Sequence, residues 1–383
     1  MSTSSKRASD QSRRAHGRES RPAELEALGR GLVHWYEREA RDLPWRKRLD
    51  DPYAVWVAET MLQQTQAASV GRRYEEWMGR YPTLGDLARS DLDQVLVLWQ
   101  GLGYYGRAAR LHAAARRLVL ERHGQLPCDL ASLMRLEGVG PYTAAAIMAI
   151  AFNQPEPAID GNARRVLARV CGERVASARR SADARLAAVW RAMVPPGGAR
   201  DFAQALMDLG SFICTPAAPR CVECPIARGC EGYRSGAPGS YGPAKRVQGI
   251  TAMHHVAVVV RCGSDYAVRH CPAGALWAGL WEFPRAEIEV AGRATETAHA
   301  LTAHLLGPTS ARVVRLLTVR HRVTRYAATL FAYYCEADRR GAGDKQRDIV
   351  WRTWDGVMAL PMSSPMNRIR NALALRLVGD EPR

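Results

Sequence analysis

Two carboxylates stand in sequence settings that suit acid–base chemistry. Glu59 has Trp56 three residues before it and Leu62 three residues after it, so all three share one face of a predicted helix. A carboxyl group on an apolar face either pairs with a cation such as arginine or has a raised pKa. Asp160 precedes a basic helical segment and is either a reacting group or an ordinary helix N-cap. One neutral and one ionised carboxyl can cleave a glycosidic bond, because one protonates the leaving group and the other stabilises the sugar cation.

A glycine turn lies between these two carboxylates in the chain. Gly138-Val139-Gly140-Pro141 joins two segments that we predict to be helical. Glycine can adopt the positive φ of a tight turn, and it leaves backbone N–H groups uncovered. Such groups at the start of a helix bind anions, and DNA phosphate is the obvious candidate. We therefore expect Gly138 and Gly140 to contact DNA, although similar turns occur in many other helical proteins.

A second glycine turn spans residues 101–107 and has the sequence GLGYYGR. Two tyrosines and an arginine at one turn suit insertion between bases or stacking on them. The alternative is that these aromatic rings belong to an ordinary core or its rim.

Four cysteines fall in one short loop with the spacing C-x6-C-x2-C-x5-C, and they are Cys214, Cys221, Cys224 and Cys230. Zinc sites usually use two C-x2-C pairs or histidine partners. A single pair with two outlying cysteines in a proline-rich loop better suits a [4Fe–4S] cluster. Zinc is the alternative that the spacing leaves open.

Composition favours a nucleic-acid partner. The chain has 383 residues and a net charge of +16, from 54 Lys and Arg against 38 Asp and Glu. This excess attracts polyanions, and the length suggests at least two domains. No apolar stretch approaches the length of a membrane span. The other five cysteines are scattered, which argues against a secreted disulfide framework and favours a reduced compartment. The first twenty residues are basic, which predicts a disordered tail rather than a transit peptide.

The secondary-structure pattern changes near residue 250. Helical periodicity continues from residue 22 to 213 without a strand pattern. Paired strands are predicted for 255–261 with 266–269, and two further strands are predicted for 313–320 and 326–335. Helices are predicted for 295–306 and 366–377. We therefore predict a basic tail at 1–22, an all-α domain at 23–234 that includes the cysteine loop 214–230, a linker at 235–250, and a smaller α+β domain at 251–383.

Five motifs in this order resemble the adenine DNA glycosylases of the MutY family, which belong to the helix-hairpin-helix superfamily together with endonuclease III. They are VAETMLQQT, GLGYYGRA, LEGVGPYTA, PAIDGNARRVLAR and the cysteine loop. The resemblance covers residues 25–233 strongly and 250–383 weakly. It implies a monomer, cytoplasmic and associated with the nucleoid, that removes adenine opposite 8-oxoguanine or guanine in duplex DNA. It also implies a [4Fe–4S] cluster on the four cysteines and a Nudix-like C-terminal domain.

The resemblance also implies roles for individual residues. Glu59 matches the acid that protonates adenine and activates water, Asp160 matches the carboxylate that stabilises or traps the sugar cation, and Tyr142 and Asn162 match residues that position this centre. Four residues match those that contact the oxidised guanine in the family, and they are Gln64, Thr65, Leu102 and Tyr104. Four others match the lining of the adenine pocket, and they are Arg41, Trp45, Arg46 and Gln204.

Three departures from related patterns refine this expectation. Bifunctional lyases of the superfamily carry lysine where this chain has Tyr142, so we predict a monofunctional glycosylase. The region of the Nudix box has Ala300 to Ala303 near the expected acidic run, so pyrophosphate hydrolysis is not expected. The loop that probes the lesion in the family, often Phe-Ser-His, is Val323-Thr324-Arg325 here. Thr324 can still donate a hydrogen bond, and Arg325 can reach a phosphate or guanine.

Two alternatives compete with this interpretation. The first is another enzyme of the superfamily, an endonuclease III-like lyase or a thymine-mismatch glycosylase. The second is a DNA-binding iron–sulfur protein without enzymatic activity, for which Glu59 and Asp160 would be replaceable.

Overall fold

The computed structural model describes residues 21–173, 179–242, 249–272, 274–307, 309–323, 325–340 and 348–379. The predicted tail up to residue 20, linker residues 243–248 and Thr324 lie outside this part. The chain packs into two compact units. The first is Met1–Gly85 with Ala114–Lys245, and the second is Asp86–Ala113 with Arg246–Arg383.

Among the described residues up to 234, all the regular elements of the chain are helices, as predicted. Its helices there are α1 (Arg21–Glu39), α2 (Pro52–Leu62), α3 (Ala67–Arg80), α4 (Leu84–Arg89), α5 (Leu92–Leu98), α6 (Gly106–Arg122), α7 (Leu130–Leu133), α8 (Pro141–Ile150), α9 (Gly161–Cys171), α10 (Arg179–Met193), α11 (Ala199–Phe212) and α12 (Glu231–Arg234). Segment 130–136 is helical only as far as Leu133, so the expected helix before the glycine turn is shorter than its apolar pattern suggested.

Two helices that are buried on nearly all sides form the centre of the first unit. Asp51 caps the start of helix α2, because its side chain accepts hydrogen bonds from the N–H groups of Tyr53 and Ala54. Residues 53–61 of this helix are all buried. Helix α8 begins at Pro141, and its residues 143–150 are also buried. The two helices pack against each other. Helices that are apolar all round belong in a core, so the side chains that α2 and α8 direct into a cavity are rigidly held.

The second unit is built on a seven-stranded sheet with the order β3-β2-β1-β6-β5, in which β4 also pairs with β1 and β7 with β2. The elements are β1 (Thr251–Cys262), β2 (Asp265–His270), β3 (Trp281–Glu282), β4 (Arg285–Ile288), α13 (Ala294–Leu306), β5 (Val313–Val323), β6 (Tyr326–Ala337), β7 (Ile349–Thr353), α14 (Trp354–Met358) and α15 (Ser364–Gly379). Strands β1 and β6 are parallel, and β5 and β6 are antiparallel. The four predicted strands and both predicted helices are confirmed.

Both faces of the sheet are covered. Val256, Val258 and Val260 of β1 pack in a cluster with residues of α13, whereas Ala257 and Val259 pack in the cluster that includes α15. Alternate residues of a strand point to opposite faces, so a strand between two helices is apolar throughout.

Residues 86–113 pack with the second unit, although chain order groups them with the helices. Trp281 Nε1 donates to Asp93 Oδ2 at 2.9 Å, and Asn367 Nδ2 donates to Gln100 Oε1 at 3.2 Å.

No helix in the described part of the chain is long and apolar enough to span a bilayer.

Candidate active site

The first unit contains a cavity of about 1110 Å³. Helix α2 with the turn after it, the glycine turn, the start of α9 and helix α11 all contribute to its lining. The predicted site residues that line it are Arg41, Trp45, Arg46, Glu59, Gln64, Thr65, Gly138, Gly140, Tyr142, Asp160, Asn162 and Gln204. Residues far apart in the chain are thus brought to one cavity.

Glu59 is buried in this cavity as a weak acid. Its side chain is 4% exposed, and the Tyr142 hydroxyl donates a hydrogen bond of 2.9 Å to its Oε2. Burial raises the pKa of Glu59 to about 7, with a smaller increase from the charge of Asp160 and an opposing effect of the Tyr142 hydrogen bond. Burial also holds the pKa of Tyr142 well above its ordinary value, so Tyr142 stays protonated. Of the two expectations for Glu59, the raised pKa describes it.

Asp160 is both the cap of α9 and part of the cavity wall. Its Oδ1 accepts a hydrogen bond of 2.6 Å from the N–H of Ala163. Burial raises the pKa of Asp160, while the N–H groups of Ala163 and Asn162 and the charge of Arg165 oppose that rise by favouring the carboxylate. The N-cap interpretation and the chemical one therefore describe the same side chain.

Asn162 lies in the first turn of α9, where it packs against α11. Arg165 Nη2 donates to Asn162 Oδ1 at 2.9 Å and to the Gly210 carbonyl at 2.7 Å. A Cβ atom on Gly210 would lie 2.8 Å from the Cβ of Asn162, closer than real Cβ atoms approach. Position 210 therefore requires glycine for α11 to lie this close to the start of α9.

Arginines and amides form another wall of the cavity. Arg46 Nε donates to Gln204 Oε1 at 2.9 Å, and Arg46 Nη1 donates to Asp208 Oδ2 at 2.8 Å. Arg41 Nε donates to Asp208 Oδ1 at 2.8 Å. Sequence reasoning missed Asp208, although it follows Gln204 by one turn on the same face of α11, and that spacing was a usable signal.

The turn after α2 completes this wall. Gln64 has a φ of 58°, which is uncommon for a residue other than glycine, and the helix before it ends at Leu62. Gln63 Nε2 donates to the Thr143 hydroxyl at 3.0 Å and so ties the turn to α8. Trp45 is buried and packs edge-on against Tyr74.

The glycine turn has some of the features of an anion-binding helix start, namely a glycine with positive φ and a glycine cap on the next helix. Gly138 has a φ of 79°, as predicted, whereas Gly140 has extended backbone angles and caps α8. A Cβ atom at Gly140 would meet open space, so no other described residue covers this side of the turn, although the Val139 N–H already donates to the Leu136 carbonyl at 3.1 Å. Arg117 Nη1 donates to Glu137 Oε1 at 2.8 Å and balances the one carboxylate directly before the turn.

The cysteine loop is tied to α9 by two arginines. Arg169 Nη1 donates to Cys214 Sγ at 3.2 Å and to the Thr215 carbonyl at 2.8 Å, and Arg165 Nε donates to the Cys214 carbonyl at 2.8 Å. Burial raises the pKa of Cys224 to about 12, and the thiols of Cys214, Cys230 and Cys221 contribute smaller increases. Among the described residues, no group of three or more His, Cys, Asp or Glu side chains is arranged to hold a metal ion. Four cysteine thiols in one loop are nonetheless the type of donor set that an iron–sulfur cluster takes.

Three of the predicted DNA contacts lie in the second unit. Leu102 is buried there, while Tyr104 is 42% exposed with a φ of 46°. Arg107 lies against the rings of Trp99 and Tyr104 and donates to the Leu102 carbonyl at 3.0 Å, so it shapes this turn from within. Arg325 is exposed and donates to the Tyr326 hydroxyl at 2.9 Å.

Comparison with known proteins identifies the family to which the chain belongs. Residues 57–192 match the family model described as HhH-GPD superfamily base excision DNA repair protein, and residues 255–372 match the NUDIX domain model. The chain is 32% identical over 402 residues to the adenine DNA glycosylase of Mus musculus. This alignment covers 91% of this chain and 78% of the relative. It is 38% identical over 260 residues to that of Mycobacterium tuberculosis, covering 68% and 82%. The chain belongs to the adenine DNA glycosylase family.

The adenine DNA glycosylase of Homo sapiens is 44% identical over 216 residues, which is 54% of this chain and 40% of the relative. The matched part thus spans less than half of that relative. A solved thermostable thymine-DNA glycosylase is 27% identical, with a TM-score of 0.51, and covers 56% of this chain and 99% of its own. Membership of the adenine DNA glycosylase family confirms the predicted all-α helix-hairpin-helix domain followed by a Nudix-like α+β domain.

Proposed function

We propose that this member of the adenine DNA glycosylase family hydrolyses the N-glycosidic bond of adenine mispaired with 8-oxoguanine or guanine in duplex DNA, as a monomer acting at the nucleoid in the cytoplasm. The observation that carries the proposal is a buried Glu59 with a pKa of about 7 in the same cavity as Asp160. A base inside a duplex must be turned out of the stack before it can react, and a cavity of about 1110 Å³ has room for it.

Glu59 supplies the proton in this proposal. At neutral pH about half of the Glu59 side chains carry a proton, as suits a general acid. Because the Tyr142 hydroxyl donates to Oε2, Oε1 is the oxygen that carries it. Transfer of this proton to a ring nitrogen of adenine lets the base leave as a neutral molecule, and the resulting carboxylate then accepts a proton from the attacking water.

Asp160 supplies the negative charge. As the base leaves, positive charge develops on the sugar, and a carboxylate beside it lowers the barrier. Burial raises the pKa of Asp160 from its ordinary value, and the hydrogen bonds from Ala163 and Asn162 and the charge of Arg165 counteract this rise by favouring the ionised form. The two carboxylates thereby divide the roles that glycosidic cleavage requires.

The reaction ends at an abasic site in this proposal. A lyase needs an amine that forms a Schiff base with the sugar, and the corresponding residue is the phenol of Tyr142. That phenol stays protonated because its pKa is well above the ordinary value. We therefore expect no efficient strand cleavage.

Single-turnover cleavage of duplexes tests the proposal. Adenine is placed opposite 8-oxoguanine, guanine, cytosine or thymine, and a thymine–guanine mismatch tests the thymine-glycosylase alternative. Abasic sites opposite 8-oxoguanine and guanine, with strand breaks only after alkali, support the proposal. Breaks without alkali, release of thymine, or no adenine release from any duplex contradict it.

Replacing Tyr142 by phenylalanine should shift the pH dependence. The Tyr142 hydrogen bond lowers the pKa of Glu59, so its loss raises that pKa above about 7. A hydrogen bond to a charged group is worth about 1.5–3 kcal/mol, so the pH at which the single-turnover rate falls should rise by about one to two units. Tyr81→Phe, in the core of the same unit, is the control and should keep the wild-type profile. An unchanged profile for Tyr142→Phe would show that Glu59 does not set it.

We further propose that a [4Fe–4S] cluster is held by four cysteines, Cys214, Cys221, Cys224 and Cys230. The cluster would have a structural role, because it would link the ends of this loop to each other. Cys224→Ser should lower bound iron and visible absorbance, and it should slow adenine release by at least about tenfold, because the loop anchors α9 through Arg165 and Arg169. Cys128→Ser, an exposed cysteine elsewhere, is the control. Zinc instead of iron in the purified protein would overturn the cluster assignment.

A further inference from the structure

We infer that Asp208 is a positioning residue that fixes the hydrogen-bonding character of the base pocket through Arg46 and Gln204. This rests on the proposed function, because it concerns how the pocket recognises a flipped base. Asp208 is 1% exposed and is not among the residues that line the cavity, so it acts on the base only through its neighbours.

Both oxygens of Asp208 are used on arginines. Oδ1 accepts from Arg41 Nε at 2.8 Å and Nη2 at 2.5 Å, and Oδ2 accepts from Arg46 Nη1 at 2.8 Å. A buried carboxylate that is hydrogen-bonded in this way holds each guanidinium in one plane. Aromatic rings fix the same planes, since Arg46 lies over Tyr36 and Arg41 lies over Phe212.

The fixed plane of Arg46 determines which half of the Gln204 amide is available. Arg46 Nε donates to Gln204 Oε1 at 2.9 Å. An amide has one accepting and one donating half, and here the oxygen is engaged. The group of Gln204 that remains available to a base in the cavity is therefore its NH₂ group. Without Asp208, Arg46 would still keep its contact with the Tyr36 ring and the hydrogen bond from Nη1 to the Arg41 carbonyl. With the guanidinium held less firmly, the Gln204 amide could rotate by half a turn and present its oxygen instead.

The pocket wall therefore presents donors, from two guanidinium groups and one amide. Donors require acceptors on the bound base, and adenine has them as ring nitrogens. A site built to hydrogen-bond a particular atom discriminates strongly against an analogue that lacks it, because its own buried polar group is then left unpaired. Asp208 thus sets base selectivity without touching the base.

Binding of non-cleavable duplexes tests this. Adenosine with a 2′-fluorinated sugar is placed opposite 8-oxoguanine, with the base as adenine or as its 1-deaza, 3-deaza or 7-deaza analogue, each lacking one ring-nitrogen acceptor. For the wild type, at least one analogue should bind about tenfold more weakly than adenine. In Asp208→Asn this ratio should fall towards one, because the orientation of the amide is lost. Asp201→Asn removes the same charge from an exposed position of α11 and should keep the wild-type ratio.

The outcomes separate this inference from the proposed function. A wild type that releases no adenine from any mismatch overturns the proposed function itself. A wild type that releases adenine, together with an Asp208→Asn variant that keeps the full analogue ratio, overturns the positioning role alone, as does a wild type that binds every analogue as well as adenine. If Asp208→Asn does not fold, Arg46→Lys serves instead, because lysine keeps a charge near Asp208 but has no Nε–H for Gln204. It should show the same loss of ratio, and retention of the ratio overturns the inference.

Discussion

Replacing Glu59 by glutamine is expected to abolish adenine release while stabilising the protein above neutral pH. Glutamine keeps the size of the side chain but cannot donate a proton to the base, which should slow single-turnover release by about 10³-fold or more. The stability effect has the opposite sign. The pKa of Glu59 is about 7 in the folded protein and 4.5 in the unfolded chain, so the folded state binds the proton more tightly.

The sign of the pH dependence follows from that difference. Below pH 4.5 the Glu59 carboxyl is protonated in both states, and its favourable contribution to folding is fully present. As pH rises through 7, the folded protein must hold an ionised carboxylate in a buried site, and about 3 kcal/mol of stability is lost. Glutamine does not titrate, so Glu59→Gln should be more stable than the wild type at pH 8 and nearly equal to it at pH 4.5.

Thermal unfolding at the two pH values, together with single-turnover cleavage, measures both effects. Glu75→Gln removes an exposed carboxylate from α3 and serves as the control, with no change in rate or in the pH dependence of stability. A Glu59→Gln variant that keeps more than a tenth of the wild-type rate would exclude Glu59 as the proton donor. Equal stability changes at pH 4.5 and pH 8 would show that Glu59 is not a strained buried acid.

The sequence predicted the individual reacting groups better than their surroundings. Glu59 lies on an apolar helix face because Trp56 and Leu62 are three residues away, and this local spacing was enough to predict its apolar surroundings and to reduce the expectations to two, a raised pKa or a cationic partner. Asp160 was recognisable as the residue before a helix. Both predictions depend on residues a few positions apart, which is the range over which a sequence pattern is informative.

What the sequence could not supply are contacts between distant segments. Asp208 binds Arg41 across 167 positions, and a sequence pattern cannot show that a carboxylate has two arginine partners from a distant segment of the chain. The same limit explains why residues 86–113, whose helices resemble those around them, were grouped by chain order, whereas the structure packs them with the sheet. Strands β3, β4 and β7 were missed because two to five residues are too few to show an alternating pattern.

Replacing Asp160 by asparagine should separate the structural role of this residue from its chemical one. Asparagine caps a helix as well as aspartate does, so α9 should keep its start and the protein its fold. The negative charge beside the developing sugar cation is lost, and adenine release should slow by about 10³-fold. Binding to a duplex with adenine opposite 8-oxoguanine should remain close to that of the wild type, because charge stabilisation acts on the transition state more than on the bound substrate.

Asp129→Asn is the matched control for that experiment. Asp129 caps α7 in the same unit, where its Oδ1 accepts a hydrogen bond of 2.8 Å from the N–H of Ser132, and it is not among the residues that line the cavity. The two substitutions therefore make the same chemical change at two helix starts, and only one of these starts lies in the cavity. A loss of rate confined to Asp160→Asn assigns the effect to the charge in the cavity. An equal loss in both variants would mean that an intact helix start is what the reaction requires, and that the carboxylate of Asp160 acts only as a cap.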